Sequence, residues 1–354
     1  MTRVLLTGGS GFLAAHVLET LLKKGHSVVT TVRSQGKADK IKEAFPGYDG
    51  RLDFTIVEDI AQPNAFDNAV ISDPPFEAII HTASPFHFNV TDIQKVESSP
   101  PEIKKQLTNS KDLLDPAMNG TLSILRATQK SAPTVKTVVL TSSFAAVSNF
   151  AKGAWPEHTY TEDEWNPMTV EDALSNPARG YTGSKALAEK AAWDFMQKEK
   201  PSFTLTTILP TLVFGPIFPG LHSLESMNTS NALMYGITKG MAKQKIPDLG
   251  GYCFVDVREV ALGHVRAMEL PTAANQRFLF SAGQYNNRLI VNIIRENFPE
   301  YHAVLPDSTV EGGDFPAGGT FQIGNAKSKE ILGIQYRSLE DTVVDTVKSF
   351  QKAA

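Results

Sequence analysis

Val4-Leu5-Leu6-Thr7-Gly8-Gly9-Ser10-Gly11-Phe12-Leu13-Ala14 is the stretch that decides the fold. Three consecutive apolar residues run into a glycine-rich turn, and the turn opens an apolar-periodic stretch from Ala14 to Leu22. A strand that passes through glycines straight into a helix is the phosphate-binding turn of dinucleotide-binding folds. Gly8 and Gly11 take the two glycine roles: the tight turn off the strand, and close approach to phosphate with no Cβ in the way. Ala14 supplies the third small residue, which lets helix and strand pack closely. The helix aims free N–H groups and the positive end of its dipole at a pyrophosphate. Ser10, Phe12 and Leu13 belong to the same cradle.

Outward from this turn, short β-branched runs alternate with helical patterns. Val28 to Val32, Phe54 to Val57, Ala78 to Ile80, Thr137 to Leu140 and Leu205 to Leu209 read as strands. Lys37 to Ala44, Leu122 to Thr128 and Ser184 to Lys198 read as helices between them. Nearly continuous apolar strands alternating with helices predict an α/β fold, a doubly wound parallel sheet covered on both faces. Beyond Gly215, prolines and glycines cluster and the pattern loosens. Residues 1–210 are therefore expected to form mainly a Rossmann domain. Residues 211–354 are expected to form mainly a smaller substrate lobe, with a segment near 254–282 returning to the sheet. The polar stretch from Thr91 to Asp115, with Pro100-Pro101, reads as a surface excursion.

The 354 residues carry a net charge of -4, so no basic field draws the chain to nucleic acid or an anionic membrane. The single cysteine, Cys253, excludes an internal disulfide. His81 and His87 stand without clustered carboxylates, so no metal site is expected. With no long apolar run either, a cytoplasmic protein acting on a small molecule, monomeric or homodimeric, is the expectation.

The second strand tells which dinucleotide. NAD-binding chains place an acidic residue near its end to hold the ribose hydroxyls. Here no Asp or Glu occurs between Ser27 and Ala38, while Arg33 follows the strand and Lys37 comes four residues later. A guanidinium and an ammonium suit a 2′-phosphate, so the cofactor read from the residues is NADPH/NADP+.

Gly180-Tyr181-Thr182-Gly183-Ser184-Lys185 opens a long helix, with Tyr181 and Lys185 four apart on one face. Reduction of a carbonyl builds negative charge on oxygen, and a phenol acidified by a nearby ammonium can protonate it. A fixed ammonium favours the phenolate by about 1–3 units. Ser143, at the end of the strand Thr137 to Leu140, is placed to hold the carbonyl oxygen. Ser-Ser after a strand is otherwise a helix cap. Phe86, Phe88 and Phe144 are the candidates for an apolar substrate pocket. Met227, Met234 and Met241, seven apart, read as the buried stripe of a helix.

Taken together, these motifs resemble the extended short-chain dehydrogenase/reductase family. Within it the chain is similar to fungal NADPH-dependent methylglyoxal, aldehyde and ketone reductases, and more distantly to plant dihydroflavonol reductases. The resemblance rests on Thr7 to Ala14, Arg33-Ser34-Gln35 with Lys37, Asp59-Ile60, and His81 to Phe86. Further along it rests on Leu140 to Ser143, Tyr181 with Lys185, and Phe214-Gly215-Pro216. It implies Ser143, Tyr181 and Lys185 as the catalytic triad and an alcohol:NADP+ oxidoreductase activity. It further implies Asp59 and Ile60 near the adenine, and Thr82, Ala83 and Ser84 along the cofactor. Pro210, Thr211, Leu212 and Val213 would lie beside the nicotinamide, Ser230 near the pyrophosphate, and Asn119 in a proton relay. Two other readings suit the same scaffold: a nucleotide-sugar epimerase or dehydratase with tightly held NAD, and a non-catalytic NADP sensor.

Overall fold

Successive residues of a strand face opposite sides of its sheet, and in the first strand both sides are dry. Val4 and Leu6 pack with Val17, Leu18 and Leu21 of the first helix, while Leu5 faces Ile124, Leu125 and Ala192 on the other side. All three strand residues are fully buried. That is the arrangement of a parallel sheet sandwiched between helices. The computed structural model describes residues 1–84, 111–175, 177–248 and 251–353. Phe86, Phe88, His87 and most of the expected surface excursion lie outside the described residues.

The strands in chain order are β1 (Arg3–Thr7), β2 (Ser27–Val32), β3 (Leu52–Ile56), β4 (Ala78–His81), β5 (Thr137–Thr141), β6 (Thr159–Tyr160), β7 (Thr204–Pro210), β8 (Leu212–Phe214), β9 (Cys253–Asp256), β10 (Arg277–Phe280), β11 (Gly283–Gln284) and β12 (Gln322–Ile323). The helices are α1 (Phe12–Lys23), α2 (Gln35–Ala44), α3 (Lys111–Ser131), α4 (Val170–Ser175), α5 (Pro177–Glu199), α6 (Thr229–Thr238), α7 (Val257–Glu269), α8 (Asn287–Asn297), α9 (Ala326–Glu330) and α10 (Leu339–Ala353). Seven strands make the main sheet in the order β10-β7-β5-β4-β1-β2-β3. All its pairings are parallel. Helices α1 and α7 pack together on one face, α3 and α5 on the other.

The chain order reverses between β1 and β4, and ligands bind at the carboxyl ends of strands where that happens. The glycine turn, the end of β2 and the Thr82–Ser84 corner all meet there. The last strand, β10, arrives after the chain has built β8, β9 and α7, so the sheet is completed from beyond residue 270. A small sheet, β11-β9-β8, and helices α6, α8 and α10 surround a separate core of Phe214, Met234, Phe254, Tyr285 and Phe350.

Three local expectations change. Helix α5 starts at Pro177, so Tyr181 and Lys185 sit inside it and not at its opening. The methionine stripe does not form: α6 ends at Thr238, Met234 is buried, and Met241 beyond it is 48% exposed. The tightest glycine of the turn is Gly9, not Gly8 or Gly11. A Cβ there would lie 2.1 Å from Thr30 Oγ1 on β2, whose hydroxyl donates to the Leu6 carbonyl at 2.9 Å. Gly8 contributes the left-handed backbone, φ +78°.

One buried ion pair sets where α5 lies. Tyr181, Lys185, Glu189 and Trp193 recur every four residues along one face of α5. Glu189 is 1% exposed and its carboxylate accepts from four side chains. Arg277 Nε of β10 donates at 2.8 Å, and Arg277 Nη2 at 3.4 Å. Ser142 Oγ donates at 2.6 Å, Thr207 Oγ1 of β7 at 2.8 Å, and Trp193 Nε1 at 3.2 Å. Indole and hydroxyl donors thus complete the set around one carboxylate. The Arg277 guanidinium also lies 3.6 Å from the centre of the Trp165 ring and donates to the Glu162 and Glu164 carbonyls. A buried pair is strongly destabilising to break because one charge is left uncompensated.

Two stability predictions follow from these contacts. Glu189→Ala should lower stability by about 3–5 kcal/mol, read from the midpoint of urea unfolding; a shift within error would mean the pair does not hold α5. Gly9→Ala should cost about 1–3 kcal/mol as Thr30 is displaced, and a melting temperature equal to the parent's would contradict the close approach.

Candidate functional site

The carboxyl ends of β1, β2 and β4 enclose a groove of about 590 Å³ lined by Gly8, Ser10, Gly11, Phe12, Arg33, Lys37, Ile60, Thr82, Ala83, Ser84, Met227 and Asn228, among others. Its floor is sewn together by β-strand ends. Thr7 Oγ1 accepts from the Ala83 N–H at 3.1 Å and is hydrogen-bonded to His81 Nδ1, 2.9 Å away. Thr82 Oγ1 donates to the Thr7 carbonyl at 2.6 Å. Burial, with help from the Lys185 charge, pushes His81 down to about 3, so the imidazole stays neutral and able to accept. A Cβ on Gly8 would come within 3.1 Å of Ala83 Cα, so the glycine is needed for the two loops to meet.

The groove fits a phosphorylated dinucleotide. Arg33 and Lys37 line it at the end of β2, and neither makes an ion pair among the described residues. Two cations outside any close ion pair, beside a phosphate turn, are suited to a second anionic group. Asp59, expected near the adenine, is exposed and turned to its own loop: it accepts from Ala61 N–H and Gln62 Nε2, both at 2.9 Å. Those hydrogen bonds, the Gln62 bond foremost, hold its carboxyl below the usual range. It shapes the loop that presents Ile60. Ser230 is buried and donates to the Val213 carbonyl, with Asn228 Nδ2 donating to it in turn. Met227 and Asn228 line the groove; the seven-residue methionine spacing assigned Met227 to a buried stripe instead, and no sequence pattern singled out Asn228. Thr211 is tied to the Phe280 carbonyl at 3.1 Å, which fastens the Pro210–Val213 stretch to β10.

The other three expected residues converge at the end of β5. Ser143 Oγ accepts from the Ala145 N–H at 3.1 Å, capping a single 3₁₀ turn, Phe144–Ala146. Its hydroxyl is also hydrogen-bonded to that of Tyr181. Ser143 is therefore both the cap and the partner of the phenol. Lys185 Nζ donates to Ser84 Oγ at 3.0 Å, which joins α5 to the edge of the groove. Beneath Lys185 lies a cavity of about 20 Å³ lined by His81, Thr121, Ser142 and Glu189, the size of one water.

The acidified phenol expected from the four-residue spacing is corrected here. Burial pushes the Tyr181 hydroxyl above its ordinary value, and the Ser143 hydrogen bond offsets only part of that rise. Burial also pushes Lys185 down to about 8. Spacing brought the two side chains to one face, but the loss of water around the charged forms is the largest influence on each. Tyr181 stays protonated at neutral pH, which is the state an acid needs.

Phe144 is 8% exposed and packed with Tyr160 and Phe321, at ring separations of 5.3 and 5.6 Å. It belongs to a satellite core, with Phe150 touching its edge at 6.4 Å. Among the described residues no cluster of His, Cys, Asp and Glu could hold a metal ion, and no helix is long and apolar enough to cross a membrane.

Comparison with known proteins agrees with this geometry. The chain is 39% identical over 99% of its length to the ketoreductase azaE of Aspergillus niger, covering 98% of that protein. It is 35% identical over 99% of its length to the NADPH-dependent methylglyoxal reductase GRE2 of Saccharomyces cerevisiae, again covering 98%. The crystal structure of Gre2 from Candida albicans in complex with NADPH superposes with a TM-score of 0.86 at 38% identity, covering 100% of this chain and 99% of that one. The model of the NAD dependent epimerase/dehydratase family matches residues 4–283, and with that match the chain belongs to this family, the group of extended short-chain dehydrogenases and reductases.

Proposed function

We propose that this protein reduces the carbonyl group of a small aldehyde or ketone, α-dicarbonyls of the methylglyoxal type included, with NADPH as the hydride donor. The observation that carries the reading is the hydrogen-bonded Ser143–Tyr181 pair, with Lys185 anchored to Ser84 at the edge of a groove lined by the cations Arg33 and Lys37. Bound NADPH supplies a hydride. The chain's own residues handle the oxygen. The Ser143 and Tyr181 hydroxyls are two donors held in one place, and they suit an oxygen on which negative charge develops. Tyr181, kept protonated by burial, gives that oxygen its proton. Lys185 is a positioned donor on the face that carries Tyr181, and its link to Ser84 sets the distance between helix and groove. The network around Glu189 holds Ser142, and through it the neighbouring Ser143, against the same helix. Retention of the whole triad argues against a pure sensor. Arg33 and Lys37, with no acid between Ser27 and Ala38, argue against an enzyme built around NAD.

Loss of NADPH absorbance should accompany incubation with small aldehydes and α-dicarbonyls, and a broad panel with no turnover would end the proposal. Tyr181→Phe should lower kcat by about 10²–10⁴ while NADPH still binds, as followed by its fluorescence; retained turnover would assign the acid elsewhere. Replacing Arg33 and Lys37 together by Ala should weaken NADPH binding by about tenfold or more and leave NADH binding little changed. Equal loss for both cofactors would place the 2′-phosphate away from these side chains.

A further inference from the structure

The loop from Pro216 to Ser226 crosses the phosphate turn, and two histidine–carbonyl bonds fasten it, running in opposite directions. His16 of α1 donates from Nε2 to the Pro216 carbonyl at 2.9 Å. His222 of the loop donates from Nε2 to the Ser10 carbonyl at 3.2 Å. A carbonyl can only accept, so each Nε2 carries the proton. Phe12 stands edge-on to both imidazoles, at 5.7 and 6.3 Å. Phe218 continues the stack onto His16 at 5.6 Å and onto Phe45 at 4.7 Å.

His222 lines the cofactor groove together with Ser10, Phe12, Arg33 and Lys37. It also lines a second cleft of about 1010 Å³ on the other side of the loop. Its contact with Ser10 is made at the one peptide of the turn that must be held still. The N–H of that peptide, on Gly11, donates to the Gly8 carbonyl at 2.8 Å, and its carbonyl takes the His222 proton. A bare carbonyl oxygen beside a pyrophosphate would set a negative dipole end against two anions; an N–H bound to it counters that field.

We propose that His222 is a positioning residue for the pyrophosphate. Its neutral imidazole covers the Ser10 carbonyl and fixes the turn that α1 offers to the part of the dinucleotide common to the phosphorylated and unphosphorylated forms. The proposal rests on the reading of the groove as the NADPH site. Several observations support a neutral donor. His222 Nδ1 is buried and has no partner among the described residues, as befits the bare nitrogen of a neutral ring. Burial, then the charges of His16 and Lys37, push the imidazole down to about 4, against the Ser10 bond that raises it. The other charged groups that share its two cavities are Arg33 on the groove side, and Glu19, Lys40, Arg258, Asp345, Lys348 and Lys352 along the second cleft.

Fluorescence titration of NADPH and of NADH separates this role from contact with the 2′-phosphate. His222→Ala should weaken both cofactors about equally, by about fivefold, with the preference between them unchanged and the same ratio at pH 6 and pH 8. His222→Gln, whose side-chain amide can donate in place of Nε2, should recover most of the loss. Lys37→Ala, the comparison, should weaken NADPH alone. Binding by His222→Ala within about twofold of the parent for both cofactors would overturn the proposal. So would a loss confined to NADPH, or a glutamine variant as weak as the alanine one. Should the alanine variant fold poorly, the glutamine variant decides: near-parental binding supports the proposal, and an equal defect opposes it. A parent protein that binds no NADPH would instead overturn the reading of the groove.

Discussion

A carboxylate with no access to water, facing one guanidinium, fixes the geometry on which the chemistry rests. Glu189 stands on the helix that carries Tyr181 and Lys185, and Arg277 stands on the last strand of the sheet. Hydroxyls from β7 and from the end of β5 complete the carboxylate's hydrogen bonds. Isolated charges in a protein interior are costly, so the pair persists only while every donor keeps its place. Small displacements of α5 relative to β5 are opposed by the same atoms that set the distance between Ser143 and Tyr181. The arrangement gives an apolar interior a directional constraint that apolar packing lacks.

The same dryness explains the electrostatics. A phenol and an ammonium on one helix face ordinarily stabilise each other's charged forms. In this interior each is pushed toward neutrality, Tyr181 upward and Lys185 to about 8. His81 beneath them, at about 3, is neutral for the same reason. The phenol and the imidazole are thus neutral where the substrate oxygen would sit, Lys185 at about 8 still carries its proton at neutral pH, and Arg33 and Lys37 add positive charge at the far end of the groove. Catalysis and cofactor choice are in this way assigned to separate dielectric surroundings.

What could be read along the chain was whatever depends on neighbours a few residues apart. The strand-turn-helix at Val4 to Leu22, the missing acid after β2, and the four-residue spacing of Tyr181 and Lys185 are local patterns, and only the last is shifted, from the opening of its helix to the interior. Contacts between distant residues left little trace. Glu189 and Arg277 are 88 positions apart, and His222 and Ser10 are 212 apart. Glu189 did carry one usable hint, its place one turn beyond Lys185 on the same face, and Ser142 another, beside Ser143. Gly9 was overlooked because its constraint is a threonine on the next strand. The sign of the tyrosine shift is not legible in the sequence, because spacing reveals a neighbour but not the loss of water around it. The surroundings of Phe144 are equally hidden, because an aromatic residue beside a site looks the same in sequence whether it faces a cavity or, as here, other rings.

The strand order has a consequence for biosynthesis. A chain emerging from the ribosome makes six of the seven main strands by residue 210, but the seventh is not available until residue 277 and beyond. Until then β7 is an open edge, and a carboxylate destined for the interior has no counter-ion. The first two hundred residues therefore wait in a state that cannot close, exposed to mispairing along that edge. Completion is postponed until the later segment has threaded back, and because the second core also draws on Tyr285, Ile290 and Phe350 beyond β10, the sheet and that core can close only late and together.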